Sequence, residues 1–287
     1  MDIFAQFTLN SIIAGGIYAL VALGFNLIYG TTKFFNLAHG VLAAVGGYAF
    51  FYLYARNGWN LYGAVIASVF LAGLIGFLLD RYLYAALRRR RASNMVLLVA
   101  SLGAFTAIQA IIAILFTSQF QTLSQNFETQ TFEIFGGIIT FVQLIVIVAV
   151  IVITLGLALL LYKTKFGKAV RAIGDDEEVA KIVGINTEKI IGYVFFIGSA
   201  IAGLAGILVG FDIGIEPAMG MGLLLKGVIA SIIGGVGNVW GGVLGAFLLG
   251  FVENFGIWKI SGEWKDAIAF GLLIIFLLVR PQGIIKR

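Results

Sequence analysis

Nine apolar stretches, most of them long enough to cross a bilayer, recur along this chain. They fall near 7–30, 36–55, 61–83, 94–116, 141–162, 189–211, 221–236, 239–256 and 265–280. A helix that spans the hydrocarbon layer needs about 20 apolar residues. It also pairs every backbone N–H and C=O within itself, as lipid demands. The pattern therefore predicts an all-α, polytopic transmembrane helix bundle of about eight or nine spans, one domain over 1–287. Composition excludes a soluble alternative. The chain is 61% hydrophobic and 11% charged, against roughly 25% charged in soluble domains, and its mean hydropathy is +1.04. One soluble core could not bury that much apolar surface. Segments 221–236 and 239–256 are short and flank the glycine-rich stretch 234–242. They read either as two spans or as one span plus a re-entrant segment.

The first apolar stretch is long enough to span, and no Lys or Arg precedes Gly30. It is therefore expected to be a membrane helix rather than a cleavable signal peptide. The chain has no cysteine, which excludes disulfides, thiolate metal sites and cysteine nucleophiles. Its net charge of +5 does not point to nucleic acid, because the basic residues concentrate in a few loops. Arg88, Arg89, Arg90 and Arg91 follow the third stretch. Lys163, Lys165, Lys168, Arg171, Lys181 and Lys189 follow the fifth, and Arg280, Lys286 and Arg287 close the chain. Residues 117–140 hold Glu128 and Glu133 but no basic residue. The positive-inside rule then places the Arg88 loop, loop 163–188 and the C-terminus in the cytoplasm, and the N-terminus outside. With Lys33 and Arg81 also inside, only Arg56, Lys226, Lys259 and Lys265 of the 19 basic residues depart from it.

Loop 163–188 is too polar to span and too patterned for a slack linker. Phe166, Ala169, Val170 and Ile173 fall at helical spacing, and Gly174 is the expected stop. Asp175 is expected to cap a second helix, with Glu178 completing a capping box. Acidic residues at that end suit the helix dipole. Val179, Ile182 and Val183 form its apolar stripe, Gly184 ends it, and Asn186 caps the next span. The expectation is two short amphipathic helices on the cytoplasmic face. They read either as a solvated helical loop or as a docking element for a peripheral protein.

At these residues the chain resembles a known family. Gly24-Phe25-Asn26-Leu27-Ile28-Tyr29-Gly30 precedes Phe35-Asn36-Leu37-Ala38-His39-Gly40. The loop reads Gly167-Lys168-Ala169-Val170-Arg171-Ala172, then Ala180 and Gly184-Ile185-Asn186. Gly234-Gly235-Val236-Gly237-Asn238-Val239-Trp240-Gly241-Gly242-Val243-Leu244-Gly245-Ala246 and the closing Val279-Arg280-Pro281-Gln282-Gly283 follow. In order and over the whole length, these resemble permease subunits of branched-chain amino acid ABC importers, of the high-affinity leucine/isoleucine/valine permease H type. The resemblance implies that loop 163–188 couples to an ATPase through Gly167, Arg171, Ala172, Gly174, Asp175, Ala180, Gly184 and Ile185. It also implies partners: a second related permease subunit, two cytoplasmic nucleotide-binding subunits that use ATP and magnesium, and an extracytoplasmic solute-binding protein. The implied location is the inner membrane, in contact with lipid. This chain itself is expected to bind no cofactor. It has no G-x-x-x-x-G-K-[ST] phosphate loop, and Gly167-Lys168 is followed by Ala169.

The 38 glycines are about twice the usual share of roughly 7%. Gly237, Gly241 and Gly245 recur every four residues, as do Gly242, Ala246 and Gly250, and Ala202, Gly206 and Gly210. Such faces are expected to pack helices closely. Gly235-Val236-Gly237 is no dinucleotide fingerprint, because Trp240 stands where the third glycine belongs. Polar groups within spans are costly and are candidates for the transport path. Asn26, Asn36 and His39 are the candidate pathway residues, with Ser101, Thr106 and Gln109 in the fourth stretch. Against that, Asn36 suits a helix N-cap, and an isolated histidine is more often structural than a proton relay. Lys226 and Glu253 read as a buried pair or as snorkelling charges. Asp212 and Glu216, with Glu128 and Glu133, are expected on the outer face. There they either meet a binding protein or are simply solvated.

The function expected is an ATP-driven import permease without its own ATPase site. An ion-gradient transporter would place several carboxylates or hydroxyls at unwound helices, and Glu253 is the one central carboxylate here. A membrane enzyme would show a metal-ligand cluster, carboxylate dyad or nucleophile–base pair, and none is evident. A permease for urea or short-chain amides, from the same superfamily, remains the closest alternative.

Overall fold

A computed structural model describes residues 2–123, 130–134, 136–258 and 260–285. Glu128, Lys286 and Arg287 lie outside the described residues. Every expected apolar segment forms a helix. These are α1 (Ile3–Thr32), α2 (Ala38–Arg56), α3 (Leu61–Arg89), α4 (Asn94–Phe116) and α5 (Phe141–Lys163). Two short helices follow, α6 (Lys165–Asp175) and α7 (Glu177–Ile182). Then come α8 (Thr187–Asp212), α9 (Met219–Gly234), α10 (Val239–Gly256) and α11 (Lys265–Val279). Seven of these helices are long and apolar enough to cross a membrane. The 16-residue α9 extends about 24 Å, short of the roughly 30 Å hydrocarbon layer.

Local chemistry sets the starts. Asp2 caps α1 by accepting from Phe4 N at 3.0 Å. Asn60 caps α3 through Gly63 N at 2.7 Å. Thr140 and Gln143 form a reciprocal capping box at α5, and Asn238 caps α10 through Gly241 N at 3.1 Å. Both α2 and α3 contain a π-helical turn, at Phe51–Arg56 and Leu79–Tyr84. Among the described residues the strands form one hairpin, β1 (Thr131–Ile134) and β2 (Gly137–Thr140), with Thr131 opposite Thr140. It rests on the start of α1, where Gln6 and Ile138 exchange two hydrogen bonds of 2.8 and 3.1 Å.

The core is built around α1. Of its apolar window 83% is buried, against 22% for α4. Small residues let its neighbours approach. Gly250 meets Ser11 and Gly15, and Gly24 meets Gly198 of α8. Between α2 and α8, a Cβ on Gly46 would overlap the backbone of Gly203. Helices α9 and α10 form an antiparallel hairpin joined at 235–238, in which α10 is long enough to span and the shorter α9 is not. In that hairpin Gly241 lies on Gly234, and Gly245 on the Ala230 carbonyl. The other face, Gly242, Ala246 and Gly250, turns to α1. Gly237 does not belong to the helical repeat expected of it. It sits in the connecting turn at φ +83°, a conformation glycine adopts freely, and its backbone meets Gly30 of α1.

The bundle has two distinct ends. At one, Asp2 N donates to Gly136 O at 3.0 Å, and Gln121 and Ile215 exchange two backbone hydrogen bonds. At the other, α7 lies beside Arg88 and Arg89, and the α9–α10 connection meets Gly30 near the end of α1. Ile284 N and Ile285 N donate there to Ile233 O and Gly234 O at 2.9 and 3.0 Å. The C-terminal segment therefore shares its end with loop 163–188, and the start of α1 lies at the opposite end.

Candidate functional site

The end carrying α6 and α7 is assembled by local hydrogen bonds. Thr164 caps α6 through Gly167 N at 3.0 Å and donates to Leu160 O at 2.6 Å. Gly167 packs on the Leu160 and Leu161 carbonyls, where a Cβ would collide. The Arg171 guanidinium donates to Leu161 O and lies over the Tyr162 ring, 5.5 Å from its centre. Gly167 and Arg171 thus fix the sharp turn from α5 to α6. Val170 and Ile173 are buried on the inner face of α6, with Phe166 against Tyr193.

The join to α7 corrects the sequence reading by one residue. Gly174 does not stop α6. It is buried inside the helix, which runs on to an exposed Asp175. Asp176 N donates to Ala172 O at 3.0 Å and closes that helix. Asp176, not Asp175, is the cap of α7, accepting from Glu178 N and Val179 N at 2.8 and 3.0 Å. Its extended backbone swings the carboxylate over both amides; Asp175 still holds helical backbone and cannot. Gly184, at φ +86°, ends α7 as expected. Gly184 N bonds Lys181 O and Ile185 N bonds Ala180 O, both at 3.0 Å, the paired pattern of a Schellman motif. Ala180 is buried and Ile185 half-buried. The stripe of Val179, Ile182 and Val183 is 54%, 83% and 68% exposed. Asn186 caps α8 through Lys189 N at 3.1 Å, as expected.

Two ion pairs beside this element escaped sequence reasoning. Arg88 meets the buried Asp80 at 2.7 Å. The π turn adds about one residue to the helical repeat, so these side chains meet eight positions apart. Arg89 binds Glu188 of α8 through two bonds of 2.7 and 2.5 Å. Lys181 pairs with Glu177 at 2.8 Å, and Thr187 donates to Glu177 at 3.3 Å. An acidic residue inside an apolar stretch, two turns before an arginine run, was the available signal for Asp80.

Asn26, Asn36 and His39 all lie buried at helix seams. Asn26 accepts from Gly237 N at 3.0 Å and donates to Asn238 O at 3.1 Å, clamping the α9–α10 turn to α1. Asn36 is not an N-cap, because α2 begins two residues later without a side-chain cap. Its Oδ1 accepts instead from the Tyr84 hydroxyl at 3.0 Å. His39 Nε2 lies 3.3 Å from Val21 O, and its ring fills the space beside Gly24. Ser101 accepts from Leu37 N at 3.0 Å, while Thr106 is exposed and Gln109 half-buried.

A cleft of about 600 Å³ opens at the opposite end, between α1, α5, α8 and α9. Near it Lys226 Nζ lies 2.5 Å from Glu253 Oε1 and 2.8 Å from Asp266 Oδ1. The Tyr18 hydroxyl donates to Glu253 Oε2 at 2.8 Å. Lys226 and Glu253 are therefore a buried pair. Asp212 and Glu216 line the cleft with Lys265, and Asp212 accepts from Gln143 at 3.0 Å. Sequence spacing gave no sign of the Tyr18 contact, which bridges 235 positions.

An all-helical, multi-span bundle with an amphipathic helix pair at one end and a charged cleft at the other is a membrane permease subunit in form. The chain belongs to the family described as "Branched-chain amino acid transport system / permease component", whose model matches residues 7–277. It is 31% identical to the high-affinity branched-chain amino acid transport system permease protein BraD of Pseudomonas aeruginosa, covering 99% of this chain and 96% of that one. It is 32% identical to the probable branched-chain amino acid transport permease protein LivH of Methanocaldococcus jannaschii, covering 96% and 90%. In fold it is similar to a chain of PsaBC from Streptococcus pneumoniae in complex with Fab, with TM-score 0.53 and 13% identity over 98% and 93% of the two chains.

Proposed function

We propose that this chain is the permease subunit through which an ABC importer moves branched-chain amino acids across the inner membrane. It works beside a second permease subunit, two ATPase subunits that bind ATP and magnesium, and an extracytoplasmic binding protein. Loop 163–188 and the C-terminus face the cytoplasm, and the N-terminus and charged cleft face outward. The observation that carries this reading is the exposed Val179–Ile182–Val183 stripe. It sits on a helix locked at both ends by Asp176 and Gly184, and α6 is anchored to its span by Gly167 and Arg171. Apolar groups held rigidly in water suit a protein partner, and the fixed turns would pass that partner's movement into α5 and α8. The relatives' printed substrates support the branched-chain class.

Replacing Val179, Ile182 and Val183 together with Asp should abolish co-purification with the ATPase subunits while membrane insertion persists. Leucine uptake that survives without any ATPase subunit would sink the importer reading. Leucine uptake that urea or acetamide suppresses would move the substrate to the amide class.

A further inference from the structure

The charged cleft is distinct from the docking end, and its chemistry is unusually two-sided. Lys226 faces two carboxylates that differ in setting. Glu253 is fully buried and also held by Tyr18, whereas the Asp266 side chain is 76% exposed. One ammonium against two carboxylates leaves one negative charge in excess. The buried Glu253 cannot leave without stranding a charge. Asp266 can, because water receives it at little cost. Lys226 therefore has one permanent partner and one exchangeable position. The cleft also presents two further carboxylates, Asp212 and Glu216, a second cation, Lys265, and an apolar wall of Ile13, Ile17 and Val209. Its volume lies within the range of about 300–1,000 Å³ typical of small-molecule sites.

We propose that this cleft is a site at which the permease itself holds an α-amino acid. The ligand's carboxylate takes the place of Asp266 on Lys226. Its ammonium faces Asp212 and Glu216, and its aliphatic side chain lies on Ile13, Ile17 and Val209. A simple anion meets two carboxylates that Lys265 alone offsets, a simple cation gains nothing from Lys226, and a neutral amide leaves both charges unsatisfied. Asp266 acts as a stand-in carboxylate that keeps Lys226 paired when the cleft is empty. This inference rests on the amino acid import reading and adds a second recognition step after the binding protein.

The absence of cysteine makes a direct test simple. A single Leu223→Cys in the full chain, in native membranes, is reacted with a small polar maleimide, and Ile213→Cys provides a second position on the same cleft. L-leucine should slow alkylation, whereas isoamylamine and isocaproate, its two half-molecules, should not at equal concentration. Lys226→Met combined with Glu253→Gln, which leaves no buried charge unpaired, should abolish the protection. Asp266→Asn should bring protection at a roughly tenfold lower leucine concentration, because a competing state is removed. Alkylation indifferent to leucine at both positions, or protection that survives Lys226→Met/Glu253→Gln, would overturn the site. If ATP-dependent leucine uptake through the unsubstituted chain persists in that case, the importer reading stands without it. If uptake itself is missing, the importer reading is what fails.

Discussion

The two ends of the bundle handle polarity in opposite ways. At the end carrying α7, apolar side chains stand exposed, while charges pair off around them. At the cleft end a fully buried glutamate pairs with a lysine that borders an open cleft. The first arrangement leaves a rigid apolar stripe exposed, and the second gathers charge around a cleft. Rigidity at the α7 end comes from backbone caps, and at the cleft end from ionic partners on different helices.

Substitutions that break one end while sparing the other sharpen this contrast. The largest effect is expected from Asp80→Leu, which strands Arg88 where only 15% of its side chain is exposed. Loss of a partner from such a pair costs about 3–5 kcal/mol, and thermal unfolding in detergent should show it. Adding Arg88→Met should restore most of the loss. Glu253→Leu should cost less, about 1–3 kcal/mol, because Lys226 keeps Asp266. If both substitutions cost the same, the exchangeable role given to Asp266 is wrong. Asp176→Ala should cost about 1 kcal/mol through the lost cap, and should weaken ATPase association more than it lowers the melting temperature. Asp175→Ala should change neither, which separates the observed cap from its neighbour. Arg89→Ala should be the mildest, with no measurable change in melting, because its bonds to Glu188 lie in water. A clear destabilisation there would mean that the pair is shielded in the assembled importer.

Hydropathy foretold a helix in each of the nine apolar stretches, seven of them long enough to cross a membrane, since lipid forces each stretch to be self-sufficient in hydrogen bonds. Glycine spacing foretold close packing, and Gly241 and Gly245 do pack on α9. What stayed hidden were choices between near-equal local options and contacts across long separations. Asp175 and Asp176 are chemically alike, and only backbone conformation decides which one caps. Asn36 stood at a plausible cap position until Tyr84, 48 residues later, supplied a better partner. Gly237 kept the four-residue spacing of a helix face, yet it serves a turn. The two short helices of loop 163–188 were legible because their pattern is local. The cleft was not, because α1, α5, α8, α9, α10 and α11 each bring one part of it.

The clamp that Asn26 places on the α9–α10 turn has a consequence for synthesis. Asn26 leaves the ribosome early, and Gly237 follows 211 residues later. At roughly 5–20 residues per second this is a wait of about 10–40 s. Through that interval the most enclosed helix of the finished protein stands in the membrane with a polar amide and no partner, an expensive state in hydrocarbon. Lipid headgroups, water or the insertion machinery must shelter the amide meanwhile. A nascent chain halted before residue 237 should therefore be markedly more vulnerable to membrane proteases than one released just beyond it.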